Sequence, residues 1–139
     1  MLTPLFMDGG ASDPGYVNIR DAKDGPLRSA RYHCEYLWSL FEPHADSDFR
    51  TELRREFDAR YWEMYLTASL IVSGHAATCP KPEGPDVGIR FKGRRIWFEA
   101  TSPTPGQPDS PDAIGESVKG QVPEERIILS LPEQHIDKI

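Results

Sequence analysis

Residues 85–101 constrain the fold more than any other part of this chain, because their hydrophobic pattern predicts a β-hairpin in a single register. Apolar residues alternate with polar or small ones on both sides of a central turn, which is typical of half-buried strands. The two apolar sets share one face only when Ile89 pairs with Ile96. A shift of one residue would turn one whole set out to water, so burial fixes the register.

The same register places two carboxylates opposite each other, Asp86 before the first strand and Glu99 after the second. Thr101 lies two residues beyond Glu99, on the same face. Directly opposed residues on neighbouring strands have Cβ atoms about 4.5–5.5 Å apart, and like charges in that position are destabilising. A cation between the two acids would relieve the repulsion, and a divalent metal ion is the simplest candidate.

Length and composition indicate one soluble domain. The chain has 139 residues, of which 38% are hydrophobic and 27% charged. No apolar run is long enough for a transmembrane helix, and the first residues lack the basic and then apolar pattern of a signal peptide. Two cysteines, Cys34 and Cys79, do not make a disulfide framework, so we expect a cytoplasmic protein whose thiols are packing residues.

Positive charge is concentrated in one place. The net charge of −6 disfavours a broad surface that coats nucleic acid. Four basic residues nevertheless crowd the end of the hairpin and form what we call the basic tip: Arg90, Lys92, Arg94 and Arg95. Such a cluster could be only a solvated turn, but it is also suited to a nucleic-acid backbone, where it would make binding dependent on salt. We therefore predict it as a nucleic-acid-binding surface.

The N-terminal half predicts an arm followed by two helices. Residues 1–27 are rich in glycine and proline and are expected to form an extended arm, ordered where it docks. The residues expected to dock are Leu5, Phe6 and Tyr16. A first helix is expected over about 27–41, before Pro43. A second, continuous helix is expected from Ser47 or Asp48 to Gly74, since apolar residues recur there at spacings of three and four.

The C-terminal half predicts a short strand over 75–80, the hairpin, a proline-rich loop over 102–111 and a last helix from Pro123. Two helices, an antiparallel β-meander and a further helix indicate an α+β fold of the three-layer α/β type. The expected organisation is the arm over 1–27 and one domain over 28–139.

These elements resemble the PD-(D/E)XK superfamily, the restriction-endonuclease-like nucleases. The resemblance is carried by Pro85-Asp86, by Glu99-Ala100-Thr101 on the following strand and by Glu63 on the preceding helix. It covers roughly residues 48–131. It implies a restriction-endonuclease-like core in which these acids serve phosphodiester hydrolysis of DNA or RNA.

The resemblance also implies a metal cofactor. Mg²⁺ or Mn²⁺ would be bound by Asp86 and Glu99, since hard cations take carboxylate oxygens and keep several waters. Glu63 would hold a second ion or position a water. Asp86, Glu99, Glu63 and Thr101 are therefore the predicted catalytic residues.

This sequence departs from the family pattern in two ways. Thr101 stands where the family has a lysine, and Lys119 is the nearest downstream substitute. The chain is also expected to lack the last strand of the core, which would leave an open sheet edge. An open edge can be filled by the N-terminal arm or can pair with a second copy, and the second alternative predicts a homodimer.

Three functions remain open from the sequence. The first is a metal-dependent nuclease. The second is a catalytically inactive member of that fold that binds nucleic acid or serves in assembly. The third is an unrelated α+β protein whose acids are surface groups, with Asp86 in a turn, Glu99 near Arg90 or Arg95, and Glu63 paired with Arg60. The histidines and cysteines lack the spacing of a zinc site, and no phosphate-binding P-loop motif is present.

Overall fold

The computed structural model describes residues 3–80 and 84–103. The chain divides into two units after Ser102, and the fold described below is that of the first. It is a mixed α+β fold. In chain order its elements are α1 (Pro14–Arg20), α2 (Gly25–Phe41), a 3₁₀ turn (Glu42–His44), α3 (Phe49–Leu53), α4 (Phe57–Val72), β1 (Val87–Phe91) and β2 (Arg94–Phe98). The predicted single domain over 28–139 extends beyond these residues and stays a prediction.

Helix α2 confirms the first predicted helix and supplies one wall of the core. It begins two residues earlier than expected, at Gly25, and ends at Phe41. Its buried residues are Cys34, Leu37, Trp38 and Phe41, which follow the spacing of three and four along one face. Burial raises the pKa of the Cys34 thiol to about 11, so this cysteine is a neutral packing residue, as predicted.

The second predicted helix is wrong as a single element, because the structure divides it into α3 and α4. The backbone N–H groups of Ser12 and Asp13 both donate to the carbonyl of Arg54, at 3.1 Å. The N–H of Phe57 donates to the Asp13 carboxylate at 3.0 Å. These hydrogen bonds take the place of bonds that a continuous helix would make with itself, so the break is a tertiary effect.

The N-terminal segment is part of the core rather than only an extended arm. It contains the helix α1, which the sequence analysis missed, with Asp13 as its N-cap accepting a hydrogen bond from the N–H of Tyr16 at 3.0 Å. Docking through Leu5, Phe6 and Tyr16 is confirmed, since all three are buried. Glu35 of α2 accepts the backbone N–H groups of Leu5 and Phe6, which ties the segment to the helix behind it.

Aromatic rings fill the space between these helices. Trp38 stacks on Phe49 with ring centroids 5.7 Å apart, and Phe41 lies 4.8 Å from the same ring. On the other side, Tyr16 meets Phe57 edge-on at 6.3 Å. Offset and edge-on ring pairs of this kind add to the stability gained from burial alone.

The sheet is smaller than the predicted meander. In the described residues, β1 and β2 form a two-stranded antiparallel sheet. The predicted strand over 75–80 is reduced to one bridge, in which Thr78 and Gly88 exchange two hydrogen bonds of 2.8 Å. The predicted loop beyond Pro103, the helix from Pro123 and Lys119 all lie outside the described residues. No helix within those residues is long and apolar enough to cross a membrane.

We expect Asp13→Ala to lower the free energy of unfolding by about 2 kcal/mol, because it removes acceptors from the first turns of both α1 and α4. Asp13→Asn keeps one acceptor oxygen and should cost less. Urea unfolding followed by circular dichroism measures both, with exposed Asp8→Ala as the control. If Asp13→Ala unfolds at the same urea concentration as Asp8→Ala, the double cap does not stabilise the fold.

Candidate functional site

The hairpin has the predicted register. Ile89 pairs with Ile96, and the ladder runs from the Val87–Phe98 pair to the Phe91–Arg94 pair. Lys92 and Gly93 form the turn with φ values of 48° and 78°. Positive φ at both central residues is what a two-residue type I′ hairpin turn requires. The register and the turn therefore support each other.

Burial of the hairpin is uneven along its length. Val87 and Ile89 are buried at the start of β1, where α4 packs against this strand. Phe91 and Ile96, on the same predicted face, are 47% and 39% exposed. The predicted buried face is thus confirmed only at the end of the hairpin away from the turn, and the turn end projects into solvent.

Asp86 has a structural partner. One oxygen of its carboxylate accepts a hydrogen bond from the backbone N–H of Ala100 at 2.5 Å. The strand ladder ends at the Val87–Phe98 pair, one residue short of Asp86 and Glu99. The Asp86 carboxylate therefore closes the open end of the hairpin, as an aspartate at the start of a strand often does.

Glu99 and Thr101 were predicted on the second strand, but β2 ends at Phe98, so both lie beyond it. Both side chains are exposed. Among residues 3–80 and 84–103, no three His, Cys, Asp or Glu side chains are arranged to hold a metal ion. A metal site at Asp86 and Glu99 stays a prediction.

Glu63 is largely buried, which the sequence did not indicate. Its side chain on α4 is only 13% exposed, and it accepts a hydrogen bond from Arg60 at 2.9 Å. Burial raises the pKa of the Glu63 carboxyl, the Arg60 hydrogen bond opposes that rise, and the negative charges of Asp86 and Asp46 add to it. The structure thus brings Glu63 and Asp86 within electrostatic range of each other. The predicted pairing with Arg60 is also present.

The basic tip is exposed in all four of its residues. Arg90 lies directly opposite Arg95 in the strand ladder. Like charges in directly opposed positions repel each other, and no salt bridge relieves either arginine within the described part of the chain. Among the described residues, this pair is therefore a positive centre on the surface that no carboxylate pairs with.

Trp97 is the site residue that the sequence analysis missed. It lies in β2 on the same face as Arg95, whose guanidinium carbon is 5.2 Å from the centre of the indole ring. The ring also covers Gly88, where a Cβ atom would come within 2.4 Å of it. The side chain remains 43% exposed. The register itself could have identified it, since it pairs Gly88 with Trp97.

Comparisons with known protein families, with curated proteins and with solved structures gave no match to this chain. The functional argument therefore depends on the geometry of the hairpin and of α4.

We expect the stability that Glu63 contributes to depend on pH. Because its pKa is raised in the folded state, its contribution is fully present below the ordinary glutamate pKa and is lost as the pH rises through the raised value. The difference in unfolding free energy between wild type and Glu63→Gln should therefore shift in favour of the wild type as the pH is lowered from about 8 to about 4.

Urea unfolding at several pH values measures this difference. Glu52→Gln removes the other carboxylate that pairs with Arg60 and controls for the loss of an ion pair. A wild-type advantage that stays constant with pH, or grows as the pH rises, would contradict the expectation.

Proposed function

We propose that this chain binds nucleic acid through the face of the hairpin that carries Arg90, Arg95 and Trp97. The observation that carries the proposal is the Arg90–Arg95 pair, two like charges held opposite each other and exposed. A phosphate between them would turn a repulsive pair into two charge-assisted hydrogen-bonding partners. Lys92 and Arg94 extend the positive charge toward the turn.

Trp97 favours single-stranded nucleic acid over a duplex. An exposed aromatic ring beside a line of positive charge is the usual combination for unpaired bases, because every base can stack and every linkage is anionic. The indole is fixed against the Gly88 backbone and beside the Arg95 guanidinium. A ring held in one place loses little side-chain entropy on binding.

Binding of a labelled single-stranded oligonucleotide, followed by fluorescence anisotropy at several salt concentrations, tests this function. We expect affinity to fall steeply with salt, and Arg90→Gln and Arg95→Gln each to reduce the slope of log affinity against log salt by about one. Trp97→Ala should weaken binding by about 1–3 kcal/mol with little change in the slope.

Lys23→Gln, which removes one exposed positive charge from the loop before α2, is the charge-matched control. The proposal fails if the hairpin variants bind no more weakly than Lys23→Gln. It also fails if the wild type does not bind the oligonucleotide at low salt.

A second candidate function is hydrolysis of phosphodiester bonds in DNA or RNA, within a restriction-endonuclease-like core. It is favoured by the negative charge of Asp86 acting on the Glu63 carboxyl. One Asp86 oxygen accepts the Ala100 N–H, and the other would be the ligand. Mg²⁺ or Mn²⁺ held by Asp86 and Glu99 would supply an activated water and positive charge. Glu63 would position that water, and the Thr101 hydroxyl would hydrogen-bond to it without adding charge.

Nicking of supercoiled plasmid and cleavage of RNA in Mn²⁺ separate the two functions. If the protein hydrolyses phosphodiester bonds, Asp86→Asn should abolish cleavage. The asparagine keeps an acceptor for the Ala100 N–H, so this variant removes the negative charge without removing the hydrogen bond. Glu99→Gln should also weaken cleavage, because it removes the second proposed metal ligand. Wild-type protein that binds but does not cleave would leave binding alone as the function. Cleavage that survives both substitutions would come from a contaminant or from a different site, and would overturn the roles of Asp86 and Glu99.

The homodimer expected from an open sheet edge is part of the same proposal. Among the described residues, β2 pairs only with β1, so its outer edge is available to a second copy.

A further inference from the structure

A cavity of about 340 Å³ lies between the loop that precedes α1 and the helix α3. One wall is formed by Gly10, Ala11 and Ser12 of the loop. The other is formed by Thr51 of α3 and by Arg54 and Arg55, which follow the end of α3. Its volume is at the lower end of the range for small-molecule sites. The cavity belongs neither to the hairpin nor to the acidic residues discussed above.

The chemistry of this cavity is that of an anion site. Two of the lining residues, Arg54 and Arg55, carry guanidinium groups, and two others, Ser12 and Thr51, carry hydroxyl groups. None of the described residues that line the cavity is acidic. Guanidinium groups and hydroxyls together offer several donors to the oxygens of one tetrahedral anion.

Two nearby carboxylates, those of Asp13 and Glu52, are engaged elsewhere. Asp13, the residue after Ser12, accepts the N–H groups of Tyr16 and Phe57. Glu52, on α3, is paired with Arg60. Because these acids have other partners, they do not neutralise the two arginines of the cavity.

Arg54 holds the two walls together before any ligand arrives. Its guanidinium donates to the carbonyl of Gly10, and its own carbonyl accepts the N–H groups of Ser12 and Asp13. The loop and the helix are thus joined at three points by one residue. Arg55 is exposed and forms no salt bridge with another described residue, so its guanidinium is available to a ligand.

We propose that this cavity binds a phosphate dianion, either free or as the phosphomonoester of a small molecule. A preassembled wall spares the ligand the entropy cost of ordering the loop, and two guanidinium groups favour a doubly charged tetrahedral anion over a monoanion. The site does not depend on the nucleic-acid-binding function proposed for the hairpin.

Thermal unfolding and titration calorimetry at constant ionic strength test this site, with inorganic phosphate, adenosine 5′-monophosphate and sodium chloride as the three probes. We expect phosphate to raise the unfolding temperature more than chloride does. Arg55→Gln should weaken phosphate binding by roughly tenfold or more, and Thr51→Val should weaken it by a smaller factor. Both positions are exposed, so both variants are expected to fold.

Lys23→Gln, which removes one exposed positive charge from the loop before α2, is the matched control and should leave phosphate binding unchanged, whereas Arg55→Gln should leave oligonucleotide binding unchanged. Tighter binding of adenosine monophosphate than of phosphate would identify an organic phosphomonoester as the ligand, and equal binding would identify free phosphate. The proposal is overturned if phosphate acts no differently from chloride, or if its effect survives Arg55→Gln.

Discussion

The fold depends on one carboxylate that joins two distant parts of the chain. Each oxygen of Asp13 accepts the N–H of a different helix, Tyr16 in α1 and Phe57 in α4, at 3.0 Å. Unpaired N–H groups in the first turn of a helix need acceptors, and here one side chain supplies them to two helices. The same contact ends α3 and sets where α4 begins. The position of α4 in turn decides that Glu63 is buried and lies within electrostatic range of Asp86.

The hairpin combines a stabilising inner end with an outer end that is locally destabilising. Its inner end is closed by the bond from Ala100 to Asp86 and by burial of Val87 and Ile89. At its outer end Arg90 lies opposite Arg95, and no carboxylate among the described residues forms a salt bridge with either arginine. Proteins commonly accept such locally unfavourable arrangements at functional positions and compensate for them elsewhere in the fold.

The sequence predicted the hairpin and α2 well because both depend on local periodicity. Alternation fixed the pairing of Ile89 with Ile96, and burial of one helical face identified α2. It did not predict the break after Leu53, because the helical pattern continues through it and the break comes from Asp13, far away in the chain. Burial of Glu63 was missed for a similar reason. Its neighbours along α4 place it off the apolar stripe, whereas tertiary packing removes it from water.

The contact between Gly88 and Trp97 links two positions that are distant in sequence but opposite in the sheet. Any side chain at position 88 would collide with the indole, whereas a small residue at position 97 would leave the glycine backbone open to water. Each position therefore restricts the other. In proteins that share this hairpin, positions 88 and 97 are expected to covary. A residue larger than glycine at position 88 should occur together with a residue other than tryptophan at position 97.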